Sequence, residues 1–235
     1  MSTNSGSTTI YGDIGNFVGA KINALSPLIN LAGNDLRIWD GSEFDGVYHT
    51  LATLPSTVQY HSSSLELGGL TLSPGIYNNF NSPAQLNGTL TLDFGANPDS
   101  IFVFQLGLTT ANNSVINVIN GGAHSGVYWV GGVGLGAGTE FAGNILTPAY
   151  IFMEPNVNIC GRVLARNQIT LNTNVISNDC SRFGGRNDFG SMGFSGGQLS
   201  GIIAAVPEPE PYAMMLAGSA LLGLMARRRK QQALA

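Results

Sequence analysis

Glu140-Phe141-Ala142-Gly143-Asn144-Ile145 is answered further along the chain by Asn158-Ile159-Cys160-Gly161-Arg162-Val163. Both hexapeptides read polar, bulky apolar, any residue, Gly, polar, bulky apolar. Working outward, Gln85-Leu86-Asn87-Gly88-Thr89-Leu90 is an earlier copy, and the step from Gln85 to Glu140 is close to three times the step from Glu140 to Asn158. Thr9-Ile10-Tyr11-Gly12-Asp13-Ile14 is a further copy near the N-terminus. A short unit recurring near a fixed period marks a chain that winds in coils, each burying its apolar side on the next. Gly69-Leu70-Thr71-Leu72 is echoed by Thr89-Leu90-Thr91-Leu92 after a step of similar length. A repeat of about 20 residues leaves room in each coil for three short strands and three corners. The expected architecture is mainly β, a triangular β-solenoid.

The intervening sequence agrees. Leu65-Glu66-Leu67, Leu90-Thr91-Leu92, Val115 to Ile119 and Ile169 to Leu171 alternate apolar and polar residues and are punctuated by Gly, Asn and Pro, which are strand and turn signals. Ile101-Phe102-Val103-Phe104 is apolar throughout and is expected to be buried on both faces. One stretch has a different period. Phe44, Val47, Tyr48, Leu51 and Leu54 form a helical stripe, so one helix is expected over about 42–54, packed along a solenoid face. Asp40 and Glu43 can form its capping box, and Pro55 stops it. Asp35, Asp40, Glu43 and Asp45 read as partners of the helix dipole, not as a cation site.

Charged residues make up only 10% of the chain against 43% apolar, which argues for a folded body whose surface polarity comes from Gly, Asn, Thr and Ser. No Lys or Arg occurs between Arg37 and Arg162, so the cationic footprint that nucleic acid requires is missing. Cys160 and Cys180 lie about one coil apart. That spacing is compatible with a cross-coil disulfide; a buried thiol with an unrelated second one is the other reading. No CxxC pair or nearby His accompanies either cysteine, so no metal site and no cofactor are expected. His49, His61 and His124 are scattered and no facing carboxylate pair is recognisable, so no enzyme activity is expected.

After Cys180 the periodicity ends. Residues 182–205 read as a flexible linker rich in Gly, Ser and Asn. Then come Pro207-Glu208-Pro209, an apolar stretch over 212–226 expected to be helical, and Arg227-Arg228-Arg229-Lys230. In that order, these three parts resemble a PEP-CTERM sorting signal over 206–235. The resemblance implies a Gram-negative source, Sec-dependent export, transient anchoring in the inner membrane by 212–226, and processing by an exosortase. It places the mature protein at the cell surface or outside the cell. No signal peptide precedes Thr8-Thr9-Ile10-Tyr11, so the true start is expected to lie upstream of Met1, with truncation as the other reading.

The body, residues 1–181, resembles the bacterial and fungal ice-binding proteins whose β-solenoid is discontinuous and flanked by a helix. The matching stretches are Gly68 to Tyr77, Ala84 to Asp93, Pro98 to Gln105, Phe141 to Leu146 and Gly161 to Asn167. The resemblance implies adsorption to ice through a flat face with motifs like Thr-Ala/Gly-x-Thr/Asn. Neighbouring coils about 4.8 Å apart would set small side chains in a regular array. Thr110-Ala111-Asn112-Asn113 matches the motif and Ser5-Gly6-Ser7-Thr8 nearly does. The tetrads Ser82 to Gln85, Ala137 to Glu140 and Pro155 to Asn158 have drifted from it. The candidate ice-facing residues are therefore Ser5, Thr8, Thr110, Asn113, Thr139 and Asn158, with recrystallisation inhibition as the expected activity. The expected partners are an ice surface, an exosortase at the membrane and exopolysaccharide, the chain itself being a monomer. The alternative is a structural or adhesive surface protein on the same scaffold without ice affinity.

Overall fold

The computed structural model describes residues 3–11, 14–17, 29–31, 36–39, 41–79, 81–122 and 124–177. The chain divides into two compact units, Met1–Ile202 and Ile203–Ala235, and every described residue belongs to the first. The expected linker, the sorting segment with the helix expected over 212–226, Cys180 and the side chains of the capping box lie outside the described residues.

The chain opens with β1 (Thr3–Asn4), β2 (Thr8–Tyr11), β3 (Ile14–Phe17), β4 (Ile29–Leu31) and β5 (Leu36–Trp39), followed by α1 (Gly41–Thr53) and β6 (Val58–Tyr60). Winding then proceeds through β7 (Leu65–Glu66), β8 (Thr71–Leu72), β9 (Gly75–Asn79), β10 (Ala84–Leu86), β11 (Thr89–Asp93) and β12 (Ile101–Gln105). It continues through β13 (Leu108–Thr110), β14 (Val115–Ile119), β15 (Gly126–Val130), β16 (Val133–Leu135), β17 (Glu140–Ala142) and β18 (Asn144–Thr147). The last described turns are β19 (Tyr150–Met153), β20 (Asn158–Cys160), β21 (Val163–Ala165), β22 (Gln168–Leu171) and β23 (Val175–Ser177).

Each full turn contributes one strand to each of three parallel sheets. Sheet I runs β1-β22-β19-β16-β13-β10-β7, sheet II runs β4-β2-β23-β20-β17-β14-β11-β8, and sheet III runs β21-β18-β15-β12-β9-β6; β3 and β5 form a separate pair. The solenoid is discontinuous. The first turn, β1 and β2, stacks on the last, with Thr3 beside Thr170 and Thr9 beside Val175. After α1 the winding restarts at the opposite end and rises back to meet the N-terminal turn. The helix, 13 residues long and so about 20 Å, spans roughly four coil spacings.

Register sets the true period. Along sheet I, Leu65 pairs with Ala84, Ala84 with Leu108, Leu108 with Val133, Val133 with Ile151 and Ile151 with Ile169. The coils are thus unequal, and the two that start at Ala84 and Leu108 are the longest. The Thr71–Thr91 echo is real register, and so is the final pair of hexapeptides, with Glu140 on Asn158 and Phe141 on Ile159. The Gln85 copy needs correction. It turns the corner from sheet I to sheet II, whereas the Glu140 and Asn158 copies turn from sheet II to sheet III. Ser82 to Gln85 is therefore not equivalent to the other tetrads. The two longer coils carry their extra residues between sheets II and III, where Phe94 folds inward and Gly122 N–H donates to Pro98 O at 2.8 Å.

The motif glycine recurs because both corners forbid a side chain. Gly88, Gly143 and Gly161 have φ of 93°, 117° and 141°, a region where L-residues are strained. A Cβ on Gly161 would also lie 2.1 Å from the Gly143 carbonyl oxygen.

Inward residues of the three sheets share one core, exemplified by Leu86, Leu90 and Phe104. Through it runs an aromatic column on the inner face of sheet III, Tyr60, Tyr77, Phe104 and Trp129, with centroid spacings of 6.4, 5.2 and 3.9 Å. The Tyr77 hydroxyl donates to Ser73 O, and its pKa is pushed up to about 12, chiefly by burial and then by Tyr60. Sheet III is buried on its outer side as well. Phe44, Val47 and Leu51 of α1 pack on Ile76, Val103, Tyr128 and Leu146, which is why Ile101 to Phe104 carries no polar alternation. Gln105 Nε2 donates to Leu51 O and Leu54 O, both at 2.8 Å, satisfying carbonyls at the helix C-terminus. Arg166 pairs with Asp45 at the surface, an exposed contact worth at most about 1 kcal/mol.

Candidate functional site

With sheet III covered by the helix, sheets I and II present the open faces. On sheet II, strand alternation turns Leu90, Leu92, Ile116, Val118, Phe141, Ile159, Ile176 and Ile10 inward, where all are buried. The residues between them face out in rows that cross the coils. One row is Thr89, Val115, Glu140, Asn158, Val175 and Thr9, joined pair by pair in the ladder. A second is Thr71, Thr91 and Asn117. Coils about 4.8 Å apart and row positions about 6.6 Å apart along the strand give this face a two-dimensional repeat. Glu140 is an exposed charge in the middle of the first row, between Val115 and Asn158.

A third row lies on the corner between sheets I and II. Asn113, Gly138, Asn156 and Thr173 all take left-handed backbone, with φ of 57°, 70°, 63° and 52°. Asn is among the residues that adopt this region most readily. The corners are stitched together by backbone: Asn113 N–H donates to Ala137 O at 2.8 Å, Gly138 N–H to Pro155 O at 3.0 Å, and Asn156 N–H to Thr173 O at 2.9 Å. Thr173 is β-branched, so its left-handed backbone costs about 1–3 kcal/mol and persists because its surroundings fix it.

Behind that corner runs a buried polar ladder, and it corrects part of the sequence reading. Thr8, Thr110 and Thr139 were expected to face outward, but their side chains are buried. Thr110 Oγ1 lies 2.9 Å from Thr139 Oγ1 and accepts from Gly136 N–H at 2.9 Å, while Thr139 Oγ1 donates to Gly136 O at 2.7 Å. Thr8 Oγ1 donates to Asn4 Oδ1 at 2.9 Å and accepts from Asn174 N–H at 3.1 Å. Ser114 Oγ donates to Leu86 O at 2.8 Å. The corner backbone leaves the β ladder, so its N–H and C=O groups need these inward hydroxyls as partners. Thr110-Ala111-Asn112-Asn113 is thus a corner-building sequence whose first residue points in and whose last two are exposed. Thr110→Val, nearly isosteric, is expected to cost about 1–3 kcal/mol by orphaning those partners, read as a lower urea midpoint with an unchanged slope.

Of the six candidate residues, Asn113 lies on the corner row and Asn158 on the first row. Ser5 is exposed at the corner of the N-terminal turn. Thr9, Thr71, Thr89, Thr91, Asn117, Asn156 and Thr173 share the face and were not singled out from the sequence. Most of them could have been found, since the alternation in Thr89-Leu90-Thr91-Leu92 and Val115-Ile116-Asn117 assigns their side. Among the described residues no group of His, Cys, Asp or Glu could hold a metal ion, and no helix is long and apolar enough to cross a membrane. Cys160 is buried and disulfide-bonded, in line with the cross-coil option, and Cys180 is the only other cysteine in the chain.

Comparison with known proteins gives this geometry a context. The profile of the ice-binding-like family matches residues 41–177, and that of the PEP-CTERM protein-sorting motif matches residues 205–230. An ice-binding protein of Nostoc sp. (strain HG1) is 37% identical over 97% of this chain and 81% of its own length. The crystal structure of an ice-binding protein from the Antarctic ascomycete Antarctomyces psychrotrophicus superposes with a TM-score of 0.67 at 31% identity, covering 75% of this chain and 89% of that one. An ice-binding protein from an Antarctic biological consortium gives 0.63 at 28% identity over 75% and 83%.

Proposed function

The chain belongs to the ice-binding-like family, and on that premise we propose that it adsorbs to ice through the outer face of sheet II. The observation that carries the assignment of the face is the register. Thr71, Thr91 and Asn117 stand on successive coils in one row, and Thr89, Asn158 and Thr9 stand in another with Val115, Glu140 and Val175 between them, on parallel strands of regular spacing. A Thr side chain offers a hydroxyl that anchors water and a methyl that restricts its arrangement. Asn, extended from a rigid strand or a fixed corner, adds a donor and an acceptor at a set height. Each contact is weak, and flatness lets them act together. Adsorption is the whole activity, and no bond is made or broken.

Sheet I suits this role less well, because Tyr150 and Phe152 stand up together from one of its inner strands, whereas the exposed ring of sheet II, Tyr11, stands on β2 next to the end of that sheet. Sheet II is itself interrupted. Glu140 holds water around a carboxylate, and Val115 and Val175 add no polar group to their row. An interrupted array supports inhibition of recrystallisation more than strong freezing-point depression. Export with display at the cell surface is supported by the sorting motif, read through Pro207-Glu208-Pro209 and Arg227-Arg228-Arg229 and processed by an exosortase.

The test is incorporation of the fluorescently labelled chain into a growing ice hemisphere; exclusion from the ice would refute adsorption. A gain-of-function arm addresses the face. Glu140→Thr removes an exposed charge from the first row and places there a residue that strands favour. It is expected to lower the concentration needed to arrest recrystallisation by about threefold, and an unchanged or higher value would remove sheet II from the assignment.

A further inference from the structure

Sheet I carries a feature that ice adsorption does not use. Tyr150 and Phe152 project from the same side of β19, 62% and 48% exposed, about 6.6 Å apart along the strand. In the neighbouring coil the position beside Phe152 is Gly134, and Gly132, one residue before the paired strand begins, lies next to the Tyr150 backbone. Nothing would lie within 4 Å of a Cβ at Gly134, and at Gly132 the nearest atoms would be 3.8 and 3.9 Å away. The two rings therefore stand beside an open glycine floor one coil wide. Exposed Thr109 stands across the floor beside Gly134. On the other side of the rings, Gln168 pairs with Tyr150 and Thr170 with Phe152.

We propose that this shelf binds a neutral polysaccharide, with Tyr150 and Phe152 stacking on sugar rings seated over Gly132 and Gly134. Charge and size select this occupant. No Lys or Arg lies in any strand of sheet I, and Arg166 at the adjoining corner is paired with Asp45, so nucleic acid, anionic lipid and acidic polymers find no cationic row to bind. The nearest charge on the row, Glu66, is tied to the backbone N–H groups of Gly68 and Asn87. Two aromatic side chains fall far short of the roughly 800 Å² per partner of a stable protein interface, which argues against a second copy of this chain. A pyranose ring fits what is present. Its C–H face packs on the electron-rich face of an aromatic ring, and its equatorial hydroxyls meet the Gln168 amide and the Thr170 and Thr109 hydroxyls. A linear chain of such rings can follow the sheet along β19, engaging both aromatics.

Affinity electrophoresis of the full chain through gels holding laminarin, hydroxyethyl cellulose or dextran tests this, with alginate as the acidic comparison. Retardation by at least one neutral glucan and not by alginate is expected. Tyr150→Ala/Phe152→Ala and, separately, Gly134→Leu should each weaken it at least tenfold. The first removes the stacking surface, and the second fills the floor where a side chain has room. Ice adsorption should stay within twofold in both, since sheet II is untouched. Several results overturn the proposal: no retardation by any of the three glucans, equal retardation of wild type and variants, or preference for alginate. Loss of ice adsorption in the variants overturns it too, because sheet I would then be the ice face.

Discussion

Trp129→Ala is expected to destabilise the fold by about 3–5 kcal/mol, the range for deleting a large buried aromatic. That is a substantial part of the roughly 5–15 kcal/mol that holds a domain together. Trp129 is fully buried, stacks on Phe104 at 3.9 Å and meets Phe141 at 5.4 Å. Its indole N–H also donates to Ala142 O at 3.2 Å, so the variant orphans a buried carbonyl. Position adds to the effect. In a stacked fold each coil touches chiefly its neighbours, and Trp129 sits between the coil of Phe104 and that of Ile145. The cavity takes away the last ring of the aromatic column and its contact with Phe141. Denaturation followed by far-ultraviolet dichroism should show a midpoint lowered by that amount. Trp129→Phe should lose less, since it keeps a ring in the column. A loss under about 1 kcal/mol for Trp129→Ala would mean that the coils collapse onto the cavity and that the column is not a continuous support.

How much of this was legible in the sequence depends on the range of the interaction. Alternation along one strand reads directly, so Leu90, Leu92, Ile116 and Ile159 could be assigned inward from neighbours alone. The helix was legible because Phe44, Val47 and Leu51 keep a helical period against sheet III; the structure runs it over Gly41–Thr53. The coil period was legible only where corners are short. Glu140 to Asn158 is one bare coil, but the side loops at Asp93–Ser100 and Asn120–Ser125 lengthen the coils that start at Ala84 and Leu108. The near match of the Gln85–Glu140 step to three periods was therefore coincidence, and Gln85 fell at a different corner from Glu140. Closure of the N-terminal turn on β23 joins the two ends of the solenoid sequence, as in the Asn174–Thr8 bond, and nothing local announces it. The side chains of Thr8, Thr110 and Thr139 were assigned to the wrong side because the motif resemblance was read outward. Alternation with Ile10, Leu108 and Phe141, each buried two residues away, would have turned all three inward.

Asn117→Tyr is expected to reduce ice adsorption more than tenfold while leaving stability within about 0.5 kcal/mol, as for an exposed substitution that breaks no contact. Asn117 is exposed in the second row beside Thr91. Tyrosine is a better strand former than asparagine, so the fold has no reason to suffer. The ring, however, rises well above the level of Thr91 and Thr71 and lifts a flat ice plane off both rows at once. Because each contact is weak, separation by even one water layer abolishes their sum. Thr110→Tyr, the substitution that the Thr-Ala-x-Asn motif would suggest, should behave in the opposite way. Its side chain points into the corner against Thr139, so overpacking there is expected to cost about 1–3 kcal/mol or more. The pair separates two meanings of threonine in this solenoid. Ice-hemisphere incorporation and urea midpoints measured on both variants should cross over: Asn117→Tyr folded and excluded from ice, Thr110→Tyr destabilised. If Asn117→Tyr enters ice as well as the parent chain, the outer face of sheet II is not the adsorbing surface.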